Sequence, residues 1–176
     1  MHRPGMIKSM TVRLVTGPLT LRPWTASDAP AVLAAYTDPS VAAWSTEPVT
    51  DPAHAEAWIH ARVNGWADGS RASFAVTDTE SGQILGQVGL RLADGEAEVG
   101  YWTLPAARGR GVASTALDAL AGWALDALDL TRITLIHSVD NPASCRVAER
   151  GGFPLALQLE PTERWPAPGH LHVRKA

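Results

Sequence analysis

Strand-like and helix-like segments alternate along the chain in an order that predicts a mixed α+β or α/β sandwich, and three observations carry that reading. Three strand-like runs follow in quick succession between residues 72 and 104, separated by Glu80-Ser81-Gly82 and Asp94-Gly95, as an antiparallel meander requires. Two helical segments with marked start signals come before the meander. A helix between two strands comes after it, which is the pattern of a crossover connection.

The first strand is expected at Leu19 to Arg22, closed by Pro23. Ser27 then offers a side-chain oxygen to cap a helix in which Pro30 occupies the first turns and Val32, Leu33 and Tyr36 recur at helical spacing. Asp38-Pro39 reads as a turn. Asp51-Pro52 pairs an N-cap with a proline at the first helical position, and Ala55, Trp58, Ile59, Val63 and Trp66 form one stripe behind it. The meander strands are Ala72 to Thr77, Ile84 to Leu92 and Glu96 to Leu104. A glycine-rich loop leads into a central helix, Ser114 to Leu128, where Leu117, Leu120, Ala121, Ala124 and Leu128 repeat at intervals of three and four. Arg132 to Ser138 alternates as a strand, Asn141-Pro142 starts a short helix and Gly151-Gly152 ends it. Two weaker strands are expected between Leu155 and Val173.

Composition bounds the function. A chain of 176 residues with a hydrophobic fraction of 45% is expected to form a single domain over residues 1–176 with a buried core. No apolar run is long enough to cross a bilayer, and Met1 to Met10 lacks the apolar segment of a secretory signal, so a soluble cytoplasmic protein is expected. Cys145 is the single cysteine, which excludes an internal disulfide and a thiolate zinc site, and no metal is expected. A net charge of −3 removes the electrostatic ground for nucleic-acid binding.

Arg108-Gly109-Arg110-Gly111-Val112-Ala113 lies between a strand and a helix, where unpaired helix-end amides make an anion site. Taken alone, two glycines also suit a plain strand-to-helix turn. The spacing fits neither a dinucleotide fingerprint nor a nucleotide triphosphate loop. Arg108, Gly111 and Ala113 instead satisfy the pattern Gln or Arg, two residues of any kind, Gly, one of any kind, Gly or Ala, and on these residues the chain resembles the GNAT (Gcn5-related N-acetyltransferase) family. Glu98-Val99-Gly100-Tyr101-Trp102 is similar to that family's fourth strand, and Asn141, Ser144 and Gly152-Phe153 are similar to its later helix. Leu19-Thr20-Leu21-Arg22-Pro23-Trp24, followed by Asp28, is similar to the branch of the ribosomal-protein N-terminal acetyltransferases. The resemblance runs from about Leu19 to Phe153.

The resemblance implies a three-layer sandwich with about four helices and a mixed central sheet of six to seven strands, splayed between the fourth, Glu98 to Leu104, and the fifth, Arg132 to Ser138. It implies acetyl-CoA or another acyl-CoA as co-substrate. The pantetheine arm would enter the splay and pair with the backbone of Trp102, Thr103 and Leu104, in the manner of an added strand. Its pyrophosphate would lie on the amides from Gly109 through Arg110, Gly111 and Val112 to Ala113, beside Arg108 and Arg110, of which Arg110 also reads as a plain surface charge. Tyr101 and Trp102 read equally as core side chains.

Acyl transfer from a thioester to an amine needs a deprotonated amine, a polarised carbonyl and a proton for the departing thiolate. Backbone amides near Val99 to Tyr101 are the expected carbonyl clamp. Glu98 is the expected base, acting through water, with Glu96 in reserve and His137 as a rival. Asn141 and Ser144 lie three apart at a helix start and are expected to reach the same end of the pantetheine arm, with Asn141 also suited to capping. No tyrosine follows Tyr101, so the family's usual tyrosine acid is absent and Ser144 is expected to protonate the thiolate. Cys145 reads as an inert helix cysteine, which leaves direct attack. The acceptor, a protein N-terminus or a small-molecule amine, is expected over the early helices near Trp44, Glu47, Asp51 and Trp58. The expected activity is an N-acyltransferase in a ternary complex, with a non-catalytic acyl-coenzyme A binding module as the alternative. A homodimer is common among the proteins that the chain resembles.

Overall fold

The computed structural model describes residues 12–45, 47–93, 96–163 and 166–176. One mixed sheet of eight strands runs through the described residues, in the order β1-β2-β3-β4-β5-β6-β8-β7. Its strands are β1 (Leu14–Thr16), β2 (Leu19–Pro23), β3 (Arg71–Asp78), β4 (Ile84–Ala93), β5 (Glu96–Thr103), β6 (Arg132–Ser138), β7 (Leu155–Leu159) and β8 (Gly169–Lys175). The helices are α1 (Ala29–Tyr36), α2 (Pro39–Ala43), α3 (Pro52–Asp68), α4 (Val112–Ala127) and α5 (Pro142–Arg150). Every neighbouring pair is antiparallel except β5 and β6, which the α4 crossover joins in parallel.

Alternation of side chains gives the sheet two apolar faces. Leu21, Phe74, Val88, Leu90 and Val99 turn to one face, where Leu117, Leu120 and Ala124 of α4 and Phe153 after α5 complete a buried cluster. Leu117 and Leu120 have no exposed surface, and burial of such a side chain stabilises a fold by roughly 1.5–3 kcal/mol. On the other face, Trp24, Val32, Tyr36, Trp58 and Ile59 close over Ala75. The α3 stripe holds, with Ala55, Trp58, Ile59 and Trp66 buried. It also buries Arg62, which Glu47 holds as an ion pair, and that partner lies too far along the chain for helical periodicity to reveal.

Differences from the sequence reading have local causes. β1 is three residues long and lies beyond the expected first strand, because a glycine turn at Gly17 folds it back onto β2. Asp38-Pro39 opens a helix rather than a plain turn, since the Asp38 carboxylate accepts from the amides of Ser40 and Val41. The cap of the first helical segment is built from Thr25 and Asp28 rather than Ser27: the Asp28 carboxylate reaches back to the Thr25 amide across the 3-10 turn Ala26–Asp28. At the end of α5 it is Gly152, with φ of 82°, that adopts the left-handed conformation. Gly151 is needed for space, because a Cβ there would come within 2.6 Å of Leu117. The Asp94-Gly95 turn and the Met1 to Met10 segment lie outside the described residues.

Candidate functional site

β5 and β6 touch at a single register match, Glu98 with Thr134, and then part. The Thr134 hydroxyl donates to the Ala97 carbonyl at 3.1 Å and marks the apex of the opening. The Leu104 amide donates to the Leu85 carbonyl, and pairing with β4 then runs without a break to Ala93 and Glu96. Main-chain groups alternate sides along a strand, so those of Leu104, Trp102 and Gly100 face β4 while those of Thr103, Tyr101 and Val99 face the opening. This corrects the expectation for the pantetheine edge. Thr103 lies on the open side, whereas Trp102 and Leu104 give their main chain to β4. Tyr101 and Val99 lie on the open side with Thr103.

At the wide end of the opening, the 3-10 turn Pro105–Ala107 leads to Arg108, Gly109 and Arg110, and Gly111 is the N-cap of α4. Gly109 and Gly111 both have φ of 74°, the left-handed region that glycine enters without strain. Among the described residues no side chain caps α4, so the amides of Val112 and Ala113 are not covered from within. A Cβ built on Gly109 meets nothing within 4 Å, and on Gly111 only the Ser114 and Thr115 hydroxyls at 3.9 and 4.0 Å. The space over the loop is open. Arg110, Val112 and Thr115 line a groove there with Pro18, Leu19 and Asp78. Asp78 is held below the usual carboxylate range by the Ser81 amide and hydroxyl first, and by Arg110 to a smaller degree. Arg108 is otherwise engaged: its Nε donates to the Thr103 carbonyl at 3.1 Å and its terminal nitrogen to Asp38 at 3.2 Å. It braces the loop against α2.

α5 places the later residues. The Asn141 side-chain oxygen accepts from the Ser144 amide at 3.2 Å, so Asn141 caps this helix. Ser144 is 9% exposed, and its hydroxyl accepts a hydrogen bond from the Tyr101 hydroxyl at 2.8 Å. Burial pushes the Tyr101 phenol up, against the smaller opposing effect of Ser144, so it stays protonated. This hydroxyl pair spans from β5 to α5. From sequence alone Tyr101 reads as a core side chain and is not joined to Ser144. The signal was available in the strand period, which turns Val99 and Tyr101 to the face that α4 and α5 cover.

Glu98 lies on the other face with Gly100 and Trp102, is exposed, and forms no ion pair among the described residues. A Cβ on Gly100 would meet nothing within 4 Å, so there is room beside Glu98. Glu96, the reserve base, is paired with Arg132. His137 is not in the opening: its Nδ1 donates to the Ser138 carbonyl and its Nε2 lies 3.1 Å from His172. Burial, the Ser138 contact opposing it, holds His137 below the ordinary imidazole range, and the neighbouring imidazoles add to this.

The residues expected to receive the acceptor have mostly structural partners. Glu47 pairs with Arg62 and Arg71, Asp51 caps α3, and Trp58 is buried with its indole N–H on the Tyr36 hydroxyl at 3.1 Å. Of the four, Trp44, at 53%, and Asp51 are exposed. The Trp102 indole packs against Trp24, Tyr36 and Trp58, and its N–H is buried without a partner among the described residues.

Comparisons with known proteins point the same way as this geometry. The family model described as an acetyltransferase (GNAT) domain matches residues 18–154. An uncharacterised N-acetyltransferase of Bacillus licheniformis, p20, is 28% identical over 144 residues, covering 80% of this chain and 81% of that protein. The ribosomal-protein-serine acetyltransferase of Escherichia coli is 40% identical over 67 residues, which span 38% of this chain and 37% of that one. Among solved structures, a ribosomal-protein α-N-acetyltransferase in complex with coenzyme A superposes with a TM-score of 0.81 at 20% identity, covering 93% of this chain and 98% of the other. No helix among the described residues is long and apolar enough to cross a membrane.

Proposed function

Because the chain belongs to the GNAT acetyltransferases, we propose that it moves an acetyl or related acyl group from acyl-coenzyme A to a primary amine, by direct attack in a ternary complex. A protein N-terminus is the favoured acceptor, as the relatives named for ribosomal-protein acetylation suggest. The observation that carries the reading is the parting of β5 from β6 beside an uncapped helix start, with the Tyr101–Ser144 pair on one side of the gap.

The pyrophosphate lies over the loop from Gly109 to Ala113, where helix-end amides and Arg110 favour an anion. The pantetheine arm lies along the open edge of Tyr101 and Thr103. The thioester then comes between the two faces: Glu98 on one, Ser144 on the other. The amine approaches from the Glu98 side, and its proton passes to Glu98 through water. Its nitrogen attacks the thioester carbon, whose oxygen takes charge beside the main chain of Val99 and Tyr101. When the carbon–sulfur bond breaks, the thiolate takes the Ser144 hydroxyl proton, Tyr101 passes its own proton to Ser144, and solvent, which takes up the amine proton from Glu98, returns one to Tyr101. Amide and free thiol are the products.

Gly111→Glu tests the loop. It sets a negative charge at the phosphate position, and the expected result is a folded protein that no longer binds acyl-coenzyme A in calorimetry. Retained affinity would overturn the loop assignment. Assay of acetyl-coenzyme A against peptides with a free serine terminus and against small amines tests the acceptor. Tight binding with no turnover on any amine would mark a sensing module instead.

A further inference from the structure

Three imidazoles and a thiol meet where α5 packs on β6 and β8. His137 and His170 are register partners across the antiparallel pair, and His172 stands opposite Leu135. The pleat therefore turns all three rings to one face of the sheet. α5 covers that face and brings Cys145 onto it. One donor atom from each of the four side chains lies within 4.8 Å of the others.

The hydrogen bonds fix the ring tautomers. Nδ1 of His137 lies 2.8 Å from the Ser138 carbonyl, and Nδ1 of His172 lies 2.9 Å from the Phe153 carbonyl. A carbonyl only accepts, so both Nδ1 atoms carry a proton and each neutral ring presents a bare lone pair at Nε2. Those two Nε2 atoms are 3.1 Å apart. Lone pairs at that distance repel unless a positive charge sits against both. His170 adds a buried Nδ1 without a hydrogen-bond partner among the described residues, and an unsatisfied buried group costs about 1–3 kcal/mol. Each of these features is what a metal ion resolves. Ligating histidines characteristically give their second N–H to a backbone carbonyl, which fixes the ring and raises its basicity.

We propose that His137, His170, His172 and Cys145 bind one divalent transition-metal ion of the zinc class. Three imidazoles and a thiolate suit zinc or cobalt, whereas magnesium and calcium take oxygen ligands. Zinc–nitrogen bonds of about 2.0–2.1 Å put neighbouring donors of a tetrahedron roughly 3.3 Å apart, close to the spacing of the two Nε2 atoms. Small ring and helix adjustments bring in the others. Four protein ligands fill the tetrahedron and leave no position for water, so the centre is structural. It ties α5, and with it Asn141 and Ser144, to β6 and β8. Binding releases the Cys145 thiol proton to solvent as the sulfur becomes a thiolate ligand. The sequence-based expectation of no metal rested on the cysteine count and left the imidazoles aside.

The test uses the full chain without an affinity tag, stripped by chelator and titrated with Co²⁺, then with Zn²⁺. The expected result is one equivalent of cobalt with the visible bands of a tetrahedral ion and a thiolate charge-transfer band, both removed by zinc. Cys145→Ser is expected to abolish the charge-transfer band. His170→Gln is expected to weaken cobalt binding at least about 100-fold, beyond what loss of an outer hydrogen-bond partner costs. Circular dichroism checks that both variants fold, and the wild-type spectrum stands apart from either. No saturable cobalt binding, an octahedral spectrum, or unchanged affinity in folded His170→Gln would overturn the site, leaving a proton shared by the two Nε2 atoms.

Discussion

Tyr101 and Ser144 come from segments 43 residues apart, and their 2.8 Å contact places a protonated phenol behind a nearly buried serine hydroxyl. If Ser144 gives its proton to the leaving thiolate, Ser144→Ala lowers kcat by about 10²–10⁴-fold, the usual range for a positioned acid. Tyr101→Phe removes one hydrogen bond behind that acid, and a loss of about tenfold is expected. Steady-state rates with two thioesters check both. A thioester with a more acidic thiol needs less help in leaving, so it should narrow the deficit of each variant, whereas a packing defect would lower both substrates equally. At this scale Arg108 also changes meaning. Its contacts with Thr103 and Asp38 make it a brace for the loop, so its loss should weaken the acyl-donor complex by disordering the loop, even though the guanidinium itself need not touch phosphate.

Elements are held by a few long-range clasps. Arg22 at the end of β2 grips both oxygens of Asp28 at 2.8 and 2.9 Å, and Asp28 also takes the Thr25 amide, so one carboxylate fixes the entry to α1. Burial opposes the charged form of Asp28, but these bonds outweigh it and hold the carboxyl below its ordinary range. The stability contributed by the clasp is therefore present in full above roughly pH 4, where an unfolded aspartate is ionised, and is lost as pH falls through the lower folded value. Asp28→Asn is expected to cost about 1.5–3 kcal/mol in denaturant unfolding at pH 7. That deficit should shrink in acid. Where α5 ends, Gly151 lets the chain pass against Leu117 of α4. Gly151→Ala forces a shift of that packing and should cost about 1–3 kcal/mol, read as a lowered unfolding midpoint.

Across the whole molecule, the opening between β5 and β6 is a gap in an otherwise continuous sheet, and a ligand lying in it adds contacts to both halves. Acyl-coenzyme A at about 100 times its Kd should therefore stabilise the fold by about 2.7 kcal/mol, or roughly 5–10 °C in Tm for a chain of this size. Gly111→Glu should show no such rise. Much of this architecture was legible in the chain: β6 and the α3 stripe follow from periodicity, α5 from Asn141-Pro142, and the crossover from the order of elements. Local chemistry also located the glycine loop, because helix-end amides and left-handed glycines are properties of neighbouring residues. Which main-chain groups face the gap, which acids are already paired, and which side chains meet across α5 depended on register and on partners tens of residues away. Short-range pattern determined where strands and helices form, since propensity and capping act within a few residues. Only the packed sheet decided that Tyr101 reaches Ser144, that Glu47 serves Arg62, and that three histidines share one face, because burial and hydrogen bonding act through space and follow no spacing along the chain.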